Sequence, residues 1–152
     1  SFVGASLISP GAMEGLEHGL RKDHPLRALF LADRPEGPPA WTYNMLLKHG
    51  VRSCLEYAKS FDLKAARAVS NPKLAPHLEF VDLGGHGYAT VRLTSDEMRT
   101  EFVCIPRPIT RSDRPDGGPL RYRVAHTAKM WKPGERPRLE QKVIEGDPGL
   151  SI

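Results

Sequence analysis

The pattern of apolar and polar positions changes period near residue 71. Before that point apolar residues cluster at helical spacing; after it they alternate. Residues 41–70 form the strongest helical stretch. Thr42 stands at a capping position, Asn44 and Leu47 follow, and Gly50 can end a first helix. Val51, Leu55 and Ala58 then fall at i, i+4 and i+7, which predicts a second helix with that face inward. Phe61, Leu63, Ala65, Ala66 and Val69 extend the run, and Asn71-Pro72 closes it, because the residue before proline avoids helix. A weaker helical signal lies in 12–34, around Leu26, Ala28, Leu29 and Phe30, and ends at the break from Pro35 to Pro39.

Alternation then takes over. Residues 78–83 read LEFVDL, 88–94 read YATVRLT and 98–105 read MRTEFVCI. Gly84-Gly85-His86-Gly87 and Ser95-Asp96-Glu97 are the expected turns, so the block reads as a β-meander. Strands are expected near 79–84, 87–94 and 98–105, with a further extended piece over 121–131. At the other end, Ser1 to Ile8 is short, apolar and β-prone, which predicts a strand near 2–8 that Ser9-Pro10-Gly11 stops. The fold class is therefore α+β.

Composition adds two constraints. The chain has 152 residues, with 14 glycines and 14 prolines, which disfavours a compact all-helical bundle. No apolar stretch reaches the roughly 20 residues of a membrane span, and no signal peptide is recognisable. Charge is unevenly spread. Residues 1–105 hold 12 Lys/Arg and 12 Asp/Glu, whereas 106–152 hold 10 and 6, so the net charge of +4 sits in a tail that also carries 7 of the prolines. Such a tail can meet phosphate backbones or an acidic partner. Its cations are scattered singly among acids, so a solvated segment over an acidic protein surface is the plainer reading, and nucleic acid is not an expected partner.

Candidate chemistry is sparse. Cys54 and Cys104 lie outside any CxxC context, and Cys104 reads as a small core residue. The histidines form neither HxH nor HExxH, and no Walker A loop, GxSxG elbow or GxGxxG fingerprint occurs. His86, between glycines, reads either as a ligand or phosphate contact or as a turn residue. Asp96 and Glu97 read as a solvent-facing pair.

Two blocks carry a family resemblance. Residues 71–105 hold Asn71-Pro72, the run Leu78 to Leu83, Gly87-Tyr88 and the Thr94 to Glu97 turn. In that order they resemble the C-terminal end of the PhoD-like alkaline phosphatase D family. The opening SFVGASLISPG resembles that family's strand ending in Ser-Pro-Gly, which follows its Gly-Asp-x-His metal motif. The likeness covers residues 1–108.

The resemblance implies a metallophosphatase fold, a two-sheet sandwich with flanking helices. It implies hydrolysis of phosphate esters by metal-activated water, with calcium and iron or a similar metal pair. It also implies that 1–108 is the C-terminal portion of that domain and 109–152 a basic, proline-rich extension packed on it. The Gly-Asp-x-His motif is missing from this sequence, so no catalytic, cofactor-binding or metal-ligating residue can be assigned. The expected role is a C-terminal subunit or fragment, inactive alone, whose partner is the N-terminal portion bearing the metals. Ser9 and His86 are the two candidate pocket-lining residues. Many members of the family are exported to the periplasm or cell surface; nothing in these residues fixes the compartment. The competing expectation is a non-catalytic binding module that uses the basic tail for nucleic acid or an acidic partner.

Overall fold

Helices occupy the first part of the chain because apolar residues there recur at helical spacing and glycine, proline or aspartate stand at the breaks. They are α1 (Ala12–Gly19), α2 (Arg27–Phe30), α3 (Tyr43–His49), α4 (Val51–Ser60) and α5 (Leu63–Ala68). Strands follow as β1 (His86–Leu93), β2 (Glu97–Ile105), β3 (Tyr122–Lys129) and β4 (Leu139–Gly146), and a single 3-10 turn spans Gly149–Ser151. This computed structural model describes residues 10–106, 113 and 119–152. The α+β class is thus observed. The described residues divide into a helical unit, 10–84 with 149–152, and a sheet unit within 85–148.

In the helical unit, Ala32, Ala40, Met45, Cys54, Tyr57 and Ala66 form the buried cluster, with Leu29, Leu46, Phe61 and Leu150 packed against it. Of the expected face of α4, Ala58 packs against this cluster but Val51 and Leu55 do not lead it. Cys54 and Tyr57 are buried while Val51 and Leu55 are about half exposed. Tyr57 is larger than either aliphatic and stacks edge-on against Phe61 at 5.8 Å between centroids, which selects the Cys54–Tyr57–Phe61 side. Gly50 ends α3 as expected. Its φ of +91° is open to glycine, and its N–H reaches the carbonyls of Met45 and Leu46. Thr42 precedes α3 but does not cap it; its hydroxyl donates instead to the Ala28 carbonyl at 2.9 Å. Asp62 does cap α5, accepting from the backbone N–H groups of Lys64 and Ala65. The Pro35–Pro39 loop is closed at its base by paired 2.8 Å hydrogen bonds between Ala32 and Ala40.

The strand expected over 79–84 does not form. Alternation there is genuine, yet the segment pairs with no other strand. Its backbone is held by a side chain and a terminal turn: Leu83 N–H donates to Asn44 Oδ1 at 3.0 Å, and Val81 N–H to the Ser151 carbonyl at 3.0 Å. Asn44 is buried and also donates to Asp82. The strand expected over 2–8 lies outside the described residues.

The sheet has the order β1-β2-β3-β4, antiparallel throughout. The strands expected at 87–94 and 98–105 appear as β1 and β2, and the piece over 121–131 as β3. The basic tail therefore contributes β3 and β4, half of the sheet, rather than an appended extension from residue 109. Gly87 must be glycine where it stands: its φ is +149°, and a Cβ would lie 1.9 Å from the Val103 carbonyl oxygen. The register lines up rows on one face of the sheet. They run Ala89, Phe102, Val124 and Val143, then Val91, Thr100, His126 and Gln141, then Leu93, Met98, Ala128 and Leu139. The other face carries Arg92, Arg99, Glu101, Arg123, Lys142 and Glu145. Thr100, Cys104, Tyr122, Val124 and His126 of the first face are buried.

Candidate functional site

The two residues expected to line a pocket fare differently. Ser9 lies outside the described residues. Of its neighbours, Gly11 starts α1 in the helical unit, where its N–H donates to the carboxylate of Glu14. His86 is not in a hairpin turn. It is the first residue of β1, paired with Ile105 and 3% exposed. The turn of that hairpin is 94–96, where Thr94 Oγ1 accepts from the N–H groups of Asp96 and Glu97. Asp96 is exposed, as expected of the carboxylate pair, and Glu97 is half-buried.

A metal pair does not fit the described residues. No three His, Cys, Asp or Glu side chains converge into a ligand set among the described residues. Cys54 and Cys104 are both buried free thiols, and burial pushes the Cys54 thiol up to about 12. A buried, protonated thiol is a poor ligand and a poor nucleophile.

A groove of about 760 Å³ lies in the helical unit between the α3–α4 junction and the end of α5. Leu46, Leu47, Val51 and Leu74 give it apolar walls; His49, Arg52, Ser70 and Asn71 supply its polar groups. The Asn71 N–H donates to the His49 carbonyl at 3.0 Å, which brings the chain after α5 back to the end of α3. That return sets Ser70 Oγ 2.9 Å from His49 Nδ1. Burial holds the His49 imidazole below its ordinary value, partly offset by the Ile152 backbone and reinforced by Lys48 and Arg67. His49 is therefore neutral near pH 7, and its Nδ1 can accept the Ser70 proton in a hydrogen bond. The helix α4 that forms one wall starts at Val51, and Gly50 before it supplies no side-chain cap. The sequence offered no sign of this pair: the two residues stand 21 positions apart and meet only through the Asn71 return.

On the sheet, Glu101 is the centre of an ion-pair cluster. Arg123 binds it through Nε at 2.9 Å and through Nη2, Arg99 lies 3.5 Å away, and Arg123 also approaches Glu145 at 3.8 Å. Hydrogen bonding from Arg123 holds the Glu101 carboxyl below the ordinary range. Arg123 joins Glu101 and Glu145 across adjacent strands, while Arg99 reaches Glu101 along its own strand, so the Glu101–Arg123–Glu145 part of the cluster is a cross-strand brace.

No family model, no curated protein and no solved structure matches the chain.

Proposed function

We propose that this chain is the C-terminal portion of a metal-dependent phosphoric ester hydrolase of the alkaline phosphatase D type. In this reading it contributes scaffold, and the metal pair, calcium and iron or similar, is held by an N-terminal portion carrying Gly-Asp-x-His. The sheet would then be one layer of a two-layer sandwich.

The observation that supports it is the β1–β2 hairpin. Of the residues that carry the resemblance, the Leu78 to Leu83 run does not form its expected strand, while the Asn71-Pro72 stop, the Gly87-Tyr88 strand start and the Thr94–Glu97 turn support the reading. They fall at a helix-run end, at a strand start where only glycine fits, and at a hairpin turn. The fully exposed flank of β4 and the exposed β1 edge are surfaces that a larger sheet assembly would cover.

The reading is tested by hydrolysis of p-nitrophenyl phosphate and bis-p-nitrophenyl phosphate. The native preparation should turn over at least one of them, and the isolated chain neither. Equal rates for the isolated chain and the native preparation would sink the proposal.

A further inference from the structure

Ser70 and His49 meet on the wall of the groove in the helical unit, with Ser70 Oγ 2.9 Å from His49 Nδ1. That separation is the reach a hydroxyl nucleophile needs to its base. The backbone holds both residues in place. The Ser70 N–H donates to the Arg67 carbonyl at 3.1 Å, and the His49 carbonyl accepts from the Asn71 N–H at 3.0 Å. The other ring nitrogen, Nε2, is sealed from solvent, so Nδ1 is the ring atom that serves the groove. Burial keeps the imidazole neutral near pH 7, which leaves Nδ1 a lone pair for the Ser70 proton.

The groove around the pair suits an acyl group. Leu46, Leu47, Val51, Val69 and Leu74 line it, and its volume of about 760 Å³ falls within the range of small-molecule sites. Val51 and Arg52, also in the lining, open α4, whose first N–H groups have no acceptor within the helix and receive no cap from Gly50. Those N–H groups and the exposed Arg52 guanidinium are donors for a carbonyl oxygen that gains charge. No Asp or Glu hydrogen-bonds His49 among the described residues. An imidazole with no carboxylate behind it is the weaker base, so the pair suits an ester, whose alcohol departs readily, and not an amide. A phosphate ester would bring charge against the apolar walls.

We propose that Ser70 and His49 are a nucleophile and base that hydrolyse carboxylic esters whose apolar acyl group lies between Leu46, Leu47, Val51 and Leu74. Ser70 Oγ bonds to the ester carbonyl carbon as its proton passes to His49 Nδ1. The carbon–oxygen bond to the alcohol breaks, and the alcohol leaves with that proton. Water then attacks the acyl-serine and gives a proton to His49 Nδ1. That proton returns to Ser70 Oγ as the carboxylic acid is released. The activity belongs to this chain alone, goes beyond the proposed metal-dependent hydrolase and does not depend on it.

The test has two arms, both on the full chain. One follows p-nitrophenyl butyrate and p-nitrophenyl acetate; the other uses a fluorophosphonate that traps a nucleophilic serine, located by peptide mass spectrometry. Turnover above buffer and a label on Ser70 are expected. Butyrate should exceed acetate in kcat/KM by about tenfold, from two more buried methylenes. Ser70→Ala should remove turnover and label, and His49→Gln should slow both by at least about 100-fold. Circular dichroism checks that each variant is folded, and the label on the parent chain reads the site whether or not a variant folds. Four results would overturn the proposal: no turnover and no label, a label on another residue, undiminished rates in folded His49→Gln, or no preference for butyrate. The phosphate-ester assay reads the metal-dependent reading separately, so the two fail independently.

Discussion

The buried side chain of Asn44 takes the place of a neighbouring strand for Leu83. Its Oδ1 accepts the Leu83 N–H at 3.0 Å, while its amide nitrogen reaches Asp82 at 3.2 Å and Ser151 at 3.4 Å. One residue of α3 thereby fixes the segment after Asn71-Pro72 and the 3-10 turn near the chain's end. Asn44→Ala should leave a half-buried N–H and a buried hydroxyl short of partners. A loss of about 2–3 kcal/mol in urea unfolding is expected. A loss below about 0.5 kcal/mol would show that the segment is held by other contacts.

The reliance of 78–84 on Asn44 explains why this part of the fold was misread from sequence. LEFVDL alternates as a strand does, but alternation reports a half-buried extended segment and does not say what pairs with it. β4 was missed for the opposite reason. Its LEQKVIEG pattern is exposed at every position, so burial left almost no apolar signature to detect. β1 and β2 were legible because turn residues bracket clear alternation. The Ser70–His49 pair could not be read, since it depends on a tertiary return. His86 was placed in a turn because glycines flank it, although Gly87 is needed for close approach to Val103 rather than for a turn.

Arg27 and Asp33 form a bidentate ion pair at 2.7 and 2.8 Å, and Arg27 is almost fully buried while Asp33 is partly open to solvent. Asp33→Asn would strand a buried guanidinium. Because water can reach the aspartate side, the expected cost is about 1–3 kcal/mol, at the lower end for such pairs. Thermal unfolding in low and high salt measures it. No change in Tm would contradict the role assigned to the pair.

Gly84 sits against the face of Trp41. A Cβ there would lie 2.2 Å from the indole ring. Gly84→Ala should displace Trp41 and cost about 1–3 kcal/mol, visible as a shift in tryptophan emission with the lowered stability. Unchanged emission and stability would mean that the ring does not pack there.

Stability should fall as the pH drops, in two stages. His49 is held below its ordinary 6.5, chiefly by burial. Its protonation favours the unfolded chain, so stability falls as the pH goes below about 6.5. Asp33 and Glu101 are held below their ordinary 3.8 and 4.5 by hydrogen bonds from Arg27 and Arg123. Their contribution is complete above those values and is lost as the pH falls through the lower folded ones. His49→Gln should flatten the upper stage and leave the lower one. An unaltered slope between pH 6.5 and 5 in that variant would exclude His49 as its source.

The proposed hydrolase is tested most directly by purifying the native protein through this chain and following activity and composition together on gel filtration. The account predicts that p-nitrophenyl ester hydrolysis co-elutes with this chain and with a Gly-Asp-x-His sequence, covalently continuous or associated, identified by intact mass and N-terminal sequencing. It also predicts that chelator abolishes the activity. A native preparation with no such sequence and no phosphate-ester hydrolysis would contradict it.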